Sequence, residues 1–225
     1  MYKFLFISML SIVIHANELP EYEAKYKFDS KEISITGIRE FKQINNEYEM
    51  QFKASNLFAS MFFLSKFEIN GDQLIPKTYD IKIRPKFLKR DQFINFNKEK
   101  NIIESTGETV WSSDFIRLDE VFDPLNAQIV IRILMKKGFE KFEFNILDIK
   151  NGDYKKYNFR VLNKEKCIVN KEQYNCLVLE RYRNESNRTV KYYLAEELDF
   201  MFVKIIDKNP DRTNTLELLE ILSFG

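Results

Sequence analysis

Apolar and polar residues alternate along most of this chain, which is the period of a half-buried β-strand. Tyr22, Ala24, Tyr26 and Phe28 alternate with charged residues, and Ile33 and Ile35 continue the pattern. Gly37 marks a bulge or a close backbone approach. Tyr48, Met50, Phe52 and Ala54 alternate with Glu49, Gln51 and Lys53. Met61, Phe63, Phe67 and Ile69 share one face of the next strand, with Phe62 and Leu64 on the other, so part of it is expected to be covered on both sides. Asn70-Gly71-Asp72 is a hairpin signal, after which Tyr79, Ile81 and Ile83 follow at period two, with Pro76 near the strand's start.

The pattern changes twice. Ile102 and Ile103 read as strand, but Ser105-Thr106-Gly107 reads as loop. Asp123-Pro124 then opens the one convincing helix: Asp123 suits the N-cap and Pro124 the first helical position. Leu125, Ile129 and Ile133 share a face, Lys136 and Lys137 suit the C-terminal dipole, and Gly138 can close the helix. This helix is expected to cover one face or one end of a sheet.

Alternation resumes at Phe142, Phe144 and Ile146. Asn151-Gly152-Asp153 repeats the hairpin signal, and Tyr157, Phe159 and Val161 lead away from it. The last stretch, from Thr189 to Leu222, reads strand, helical turn, strand, turn, strand. Val190, Tyr192 and Leu194 alternate, Ala195-Glu196-Glu197-Leu198 breaks the period, and Val203 and Ile205 restore it. Asn209-Pro210-Asp211 is a turn before Leu216 and Leu218, which predicts an antiparallel hairpin. About nine to eleven strands at short spacing with one helix predict a mainly β protein: a large curved antiparallel sheet or open half-barrel with one covering α-helix.

The N-terminus departs from this pattern. Residues 1–16 read as a signal peptide, with Lys3 the one charge and an apolar run from Phe4 to Ile14 that is too short to span a bilayer. An uncleaved N-terminal anchor is the alternative. No Cys follows the run, which argues against a lipoprotein signal. Residues 17–225 are then expected to form a single mainly-β domain, exported to the periplasm and not integral to the membrane. Losing residues 1–16 takes away Lys3 and no acid, leaving 34 basic against 34 acidic residues, a balance that argues against a nucleic-acid partner.

The only histidine is His15, inside the signal peptide. The mature chain therefore lacks the residue that Ser-His-Asp, Cys-His and His-ligated metal chemistry need. Cys167 and Cys176 are the only cysteines. A turn centred between Lys171 and Glu172 would place them directly opposite, at about 4.5 Å between Cα atoms, within disulfide reach. An exported chain favours that bond, worth roughly 2–3 kcal/mol in the chain-entropy model. A redox or metal-binding pair is the alternative, but the spacing is not C-x-x-C.

Three further features are candidate sites. Lys82, Arg84, Lys86, Lys89 and Arg90 around Phe87 could bind phosphate or a lipid head group, though a solvated turn explains them as well. Glu196, Glu197 and Asp199 could do acid/base work or bind calcium, against the same solvated-turn reading. Trp111, the only Trp, could line a cleft or plug a barrel end; a core anchor is the simpler expectation. Asn184-Glu185-Ser186 and Asn187-Arg188-Thr189 are formal glycosylation sequons that matter only in a eukaryotic secretory pathway.

Three stretches resemble the bacterial exported family called domain of unknown function 3108. The first is Ile69-Asn70-Gly71-Asp72 with Leu74, Pro76 and Tyr79. The second is Phe122-Asp123-Pro124-Leu125-Asn126 followed by Arg132. The third is Tyr193-Leu194-Ala195, Leu198-Asp199-Phe200, Val203-Lys204-Ile205 and Thr215-Leu216-Glu217-Leu218. Tyr193 stands where that family usually has Trp, Phe202 where it has Pro, and Asn126 where it has Ser. The resemblance implies an exported, curved-sheet protein without a settled activity, and it carries over no site residues. Likeness to the half-barrel lipoprotein carriers of the periplasm is analogy of fold only.

These observations predict no catalytic residue, no metal site and no cofactor, and they name no binding residue. The expected function is non-enzymatic: an apolar ligand such as a lipid, or a peptide segment, held in the concave face with the helix as plug or lid. An envelope assembly protein working through protein contacts is the alternative. A hydrolase would need two carboxylates about 5–9 Å apart in a concave site.

Overall fold

The computed structural model describes residues 19–84, 90–114, 120–183 and 186–225. The expected signal peptide and Lys86, Phe87 and Lys89 of the basic cluster lie outside them, as does the sequon residue Asn184.

Period-two alternation produces one continuous sheet. Its first part is a meander of β1 (Tyr22–Asp29), β2 (Ser34–Ile44), β3 (Glu47–Ser55), β4 (Ser60–Asn70), β5 (Gln73–Arg84), β6 (Arg90–Asn97), β7 (Ile102–Gly107) and β8 (Trp111–Asp114). A short β9 (Val121–Phe122) leads into the helix α1 (Ala127–Lys136). The second meander is β10 (Lys141–Leu147), β11 (Tyr154–Val169), β12 (Glu172–Tyr182), β13 (Thr189–Ala195), β14 (Met201–Lys208) and β15 (Thr213–Phe224). The spatial order runs from β8 back to β1, then to β15 and back to β9. The first and last strands are thus neighbours in mid-sheet, with Tyr22 opposite Phe224.

Among the described residues fifteen strands replace the nine to eleven read from the sequence. Ser105, Thr106 and Gly107 belong to β7 rather than to a loop, because inward-facing Ser105 accepts from the Gln92 amide and donates to the Thr109 carbonyl. Ile33 lies in the turn before β2, where Ser30 donates to its carbonyl. One pair, β9 with β10, is parallel. Gly37 makes the close approach expected of it, since a Cβ there would lie 2.5 Å from that of Ala54.

Inward positions of the sheet hold the core. Phe41, Tyr48 and Phe67 stack from β2 to β4, and Phe142, Phe144, Phe159, Tyr192 and Phe202 form a second aromatic run from β10 to β14. Outward positions carry charges that pair between neighbours, as in Lys66 with Glu49 and Arg160 with Glu180.

The helix covers the sheet from its concave side. Its buried residues Ala127, Ile129, Ile131, Arg132 and Met135 spread round more than half of its circumference, wider than the stripe of a helix lying on a flat surface. Regular helix starts at Ala127 with Asn126 as its N-cap, three residues later than the Asp123-Pro124 start expected; Asp123 instead caps the turn that leads into it, its Oδ1 accepting from the backbone N–H groups of Leu125 and Asn126. Gly138, at φ 79°, ends it, with the Phe139 N–H reaching back to the Leu134 carbonyl. Lys137 pairs with Asp72 and Lys136 with Asp199, which ties the helix C-terminus to the sheet end carrying the β4–β5 and β13–β14 turns.

The two edges of the sheet meet without a strand ladder among the described residues. Trp111 Nε1 on β8 donates to the Ile149 carbonyl in the β10–β11 turn at 3.2 Å, and Ser113 Oγ donates to the Gly152 carbonyl at 3.0 Å. Gln92 also donates to Ile149. The Trp ring packs so closely on Gly152 that a Cβ there would lie 2.4 Å from it. Trp111 is therefore a clasp between two edges, partly buried, and not a simple core anchor.

Candidate functional site

Helix and aromatic core fill most of the concave side, but not the end toward which the helix N-terminus points. There the sheet encloses a cavity of about 390 Å³. Phe28, Phe63, Ile83, Ile205 and Leu216 pack against the core yet stay half-buried, because part of each faces this cavity. Pro124, Leu125 and Gln128, from the first turns of the helix, line it with Arg39 of β2. The volume falls within the roughly 300–1,000 Å³ of small-molecule sites. The β3–β4 turn at this end presents Leu57 and Phe58, 95% and 82% exposed.

Arg39 is the unusual member of this set. It is 1% exposed. Its Nη2 donates to Gln128 Oε1, while Nε and Nη1 are buried without an acceptor. The guanidinium carbon sits 5.4 Å from the Tyr26 ring centroid and 5.6 Å from that of Phe202. Ring quadrupoles offset part of the burial cost, by about 2 kcal/mol where desolvated. The penalty for burying an ion is several kcal/mol, so an arginine without a carboxylate is left electrostatically open.

A second arginine, Arg132 on the helix, is also buried. Its Nε donates to the Asp199 carbonyl at 3.1 Å, and it lies over the Tyr22 and Phe41 rings. Burial lowers its pKa from the ordinary arginine value. It is away from the cavity lining and links the helix to the β13–β14 corner.

Asp123, just before the helix, is buried as well. Its Oδ2 accepts from Ser65 Oγ at 2.6 Å. Burial pushes the carboxyl up to about 6, against the lowering effect of Ser65 and the two backbone donors. The cavity lining itself carries one carboxylate, Asp207, which is held by a two-nitrogen contact from Arg188. The two-carboxylate arrangement that hydrolysis would need is not formed there.

The sequence candidates fall elsewhere. Cys167 and Cys176 are joined by a disulfide, at the end of the sheet remote from the cavity. They are not directly opposite. The turn is Asn170-Lys171, both at positive φ, so Cys167 faces Tyr174 and Cys176 faces Glu165. The cysteines are diagonal neighbours 5.9 Å apart at Cα, still within disulfide reach. Glu196, Glu197 and Asp199 form a corner, a 3-10 turn followed by two residues at positive φ. Glu196 pairs with Lys164, and Glu197 accepts from the Asn175 backbone. Among the described residues no three Asp, Glu, His or Cys side chains converge on a metal site. Of the basic cluster, Lys82 pairs with Asp80 and Arg84 with Asp91.

Sequence reading passed over Arg39 and Gln128. The signal for Arg39 was present: Ile35, Gly37, Arg39 and Phe41 share one parity, so a charge stands at an inward position. Gln128 carried none, because its role depends on where the helix lies.

An open, barrel-like sheet with a helix against its concave side and an apolar cavity defines the class. A crystal structure of a beta-barrel-like protein of domain of unknown function DUF1849 from Brucella abortus has this fold. It matches with a TM-score of 0.59 at 10% identity, over 92% of this chain and 98% of that one. The chain belongs to the family described as protein of unknown function DUF3108, whose model matches residues 21–216. No curated protein matches it.

Proposed function

We propose that this is an exported periplasmic binding protein, without catalytic activity of its own, that holds an apolar ligand in the cavity at the open end of its curved sheet. One observation carries the reading: half-buried Phe28, Phe63, Ile83, Ile205 and Leu216 converge on a space of about 390 Å³ that the helix leaves unfilled. Apolar side chains around such a space gain by taking up an apolar guest. The helix is the plug that sets the depth of the site. The apolar run at residues 4–14 and the disulfide support export. No helix among the described residues is long and apolar enough to cross a membrane. The outward positions carry Glu23, Lys25 and Lys27 on β1 and Glu40 and Lys42 on β2, the opposite of a lipid-facing barrel surface.

The test is native mass spectrometry of protein purified from the periplasm, before and after organic extraction. The expected result is an adduct of a few hundred daltons or less that extraction removes and a simple alkyl compound such as dodecanol restores. A clean apo mass, together with failure to take up dodecanol, would overturn the reading.

A further inference from the structure

We infer that the ligand carries a carboxylate at one end, and that Arg39 receives it in the place now held by the Gln128 amide. The inference rests on the reading that the cavity takes an apolar chain, and it assigns the chemistry of the head group.

A guanidinium offers two edges to a planar two-oxygen acceptor, and both include Nη2. At Arg39 that nitrogen is engaged by a single neutral oxygen, Gln128 Oε1, while the remaining donor of each edge, Nε or Nη1, has no acceptor. An acceptor with two oxygens that displaces the amide would satisfy Nη2 and one further donor at once. A carboxylate does this and neutralises the buried charge, which an amide cannot. Gln128 can give way: it is half-buried, it lines the cavity, and its other hydrogen bond is an exposed one from Nε2 to the Pro124 carbonyl.

The surroundings favour an anion. Asp207 is the one carboxylate of the lining and is already paired with Arg188. The N-terminal turn of the helix, whose dipole end is positive, faces the cavity through Leu125 and Gln128. Beyond Arg39 the walls are the apolar residues that would take the chain. The molecule that fits is a single-chain carboxylate, with its head against Arg39 and its tail toward Phe28, Phe63 and Leu216.

Calorimetry with dodecanoate, dodecyl phosphate and dodecanol tests this on the full mature chain and two variants. Wild type is expected to bind dodecanoate roughly tenfold or more tightly than dodecanol, as a buried charge-assisted hydrogen bond implies. Arg39→Met should abolish that difference while still binding dodecanol. Gln128→Glu places a carboxylate of the chain's own on Arg39, so it should lower the ratio of dodecanoate to dodecanol affinity; this variant keeps the arginine and guards against misfolding of the first. Equal affinity of wild type for dodecanoate and dodecanol would overturn the head-group assignment and leave the apolar cavity standing. Tighter binding of dodecyl phosphate than of dodecanoate would overturn the choice of carboxylate. Failure to bind any of the three would overturn the cavity reading itself.

Discussion

At Asp123 one side chain serves two ends. It caps the turn that leads into the helix through its Oδ1 and anchors that turn to β4 through Ser65, and to do so it is removed from water. Burial raises its carboxyl from 3.8 to about 6. The folded state therefore binds more protons than the unfolded chain between about pH 4 and 6. Its contribution to stability is full below that window and falls as pH rises through it. A displacement of this size corresponds to roughly 3 kcal/mol at most. Asp123→Asn keeps an acceptor for both backbone donors but does not titrate. Urea midpoints from pH 4 to 7 should show wild type losing stability relative to the variant as pH rises; a gap that does not change with pH would refute the burial argument. Asp123 was legible as a cap from Asp-Pro before an apolar period. Its burial was not, because nothing local says that a helix start lies inside the molecule.

Among the elements, the pairing of β2 with β3 is one of the points of close approach. Gly37 faces Ala54 across that ladder, and a Cβ on Gly37 would meet both Ala54 Cβ and the Lys53 carbonyl oxygen at 2.5 Å. Gly37→Ala is expected to cost about 1–3 kcal/mol by overpacking, read as a lower thermal midpoint. An unchanged midpoint would mean that the two strands part without strain. The sequence showed a glycine in a strand, hence a bulge or a close approach, but not which of the two or against which residue. The hairpin of β11 and β12 teaches the same lesson about register. Asn170-Lys171 rather than Lys171-Glu172 makes the turn, and moving the turn by one residue shifts the pairing by two, which turns an opposed cysteine pair into a diagonal one on the same face. Both arrangements permit the disulfide, so the pairing of the two cysteines does not reveal the register.

For the molecule as a whole, closure depends on the seam. Fourteen of the contacts between strands are ladders, but among the described residues the β10–β11 turn is met through side chains: Trp111 and Ser113 of β8 and Gln92 of β6. Trp111→Ala should cost roughly 1–3 kcal/mol, less than the ~3–5 of a fully buried ring. Its signature is local. Amide exchange should quicken in β7, β8 and residues 148–153 and stay unchanged in β1 and β15, which lie far along the sheet. Equal quickening throughout would show that the seam and mid-sheet open as one unit. The cavity is a property at this scale too, since it is bounded by strands from both meanders and by the helix.

The sequence by itself determined the strand faces, the helix and its C-terminal end, the absence of histidine after residue 15, and the family. Each of these rests on short-range information: a period of two or 3.6, a capping residue, a glycine or proline in a turn, a composition. Tertiary structure alone decided that the helix covers the concave side of the sheet, that Trp111 clasps two edges, and that an inward-facing arginine on β2 meets a glutamine 89 residues away on the helix. Alternation tells which side of a strand a residue occupies, but not what comes to stand against it. The cavity and its open arginine arise from how far the plug fills the curve, a quantity set by every strand together and written in no single stretch.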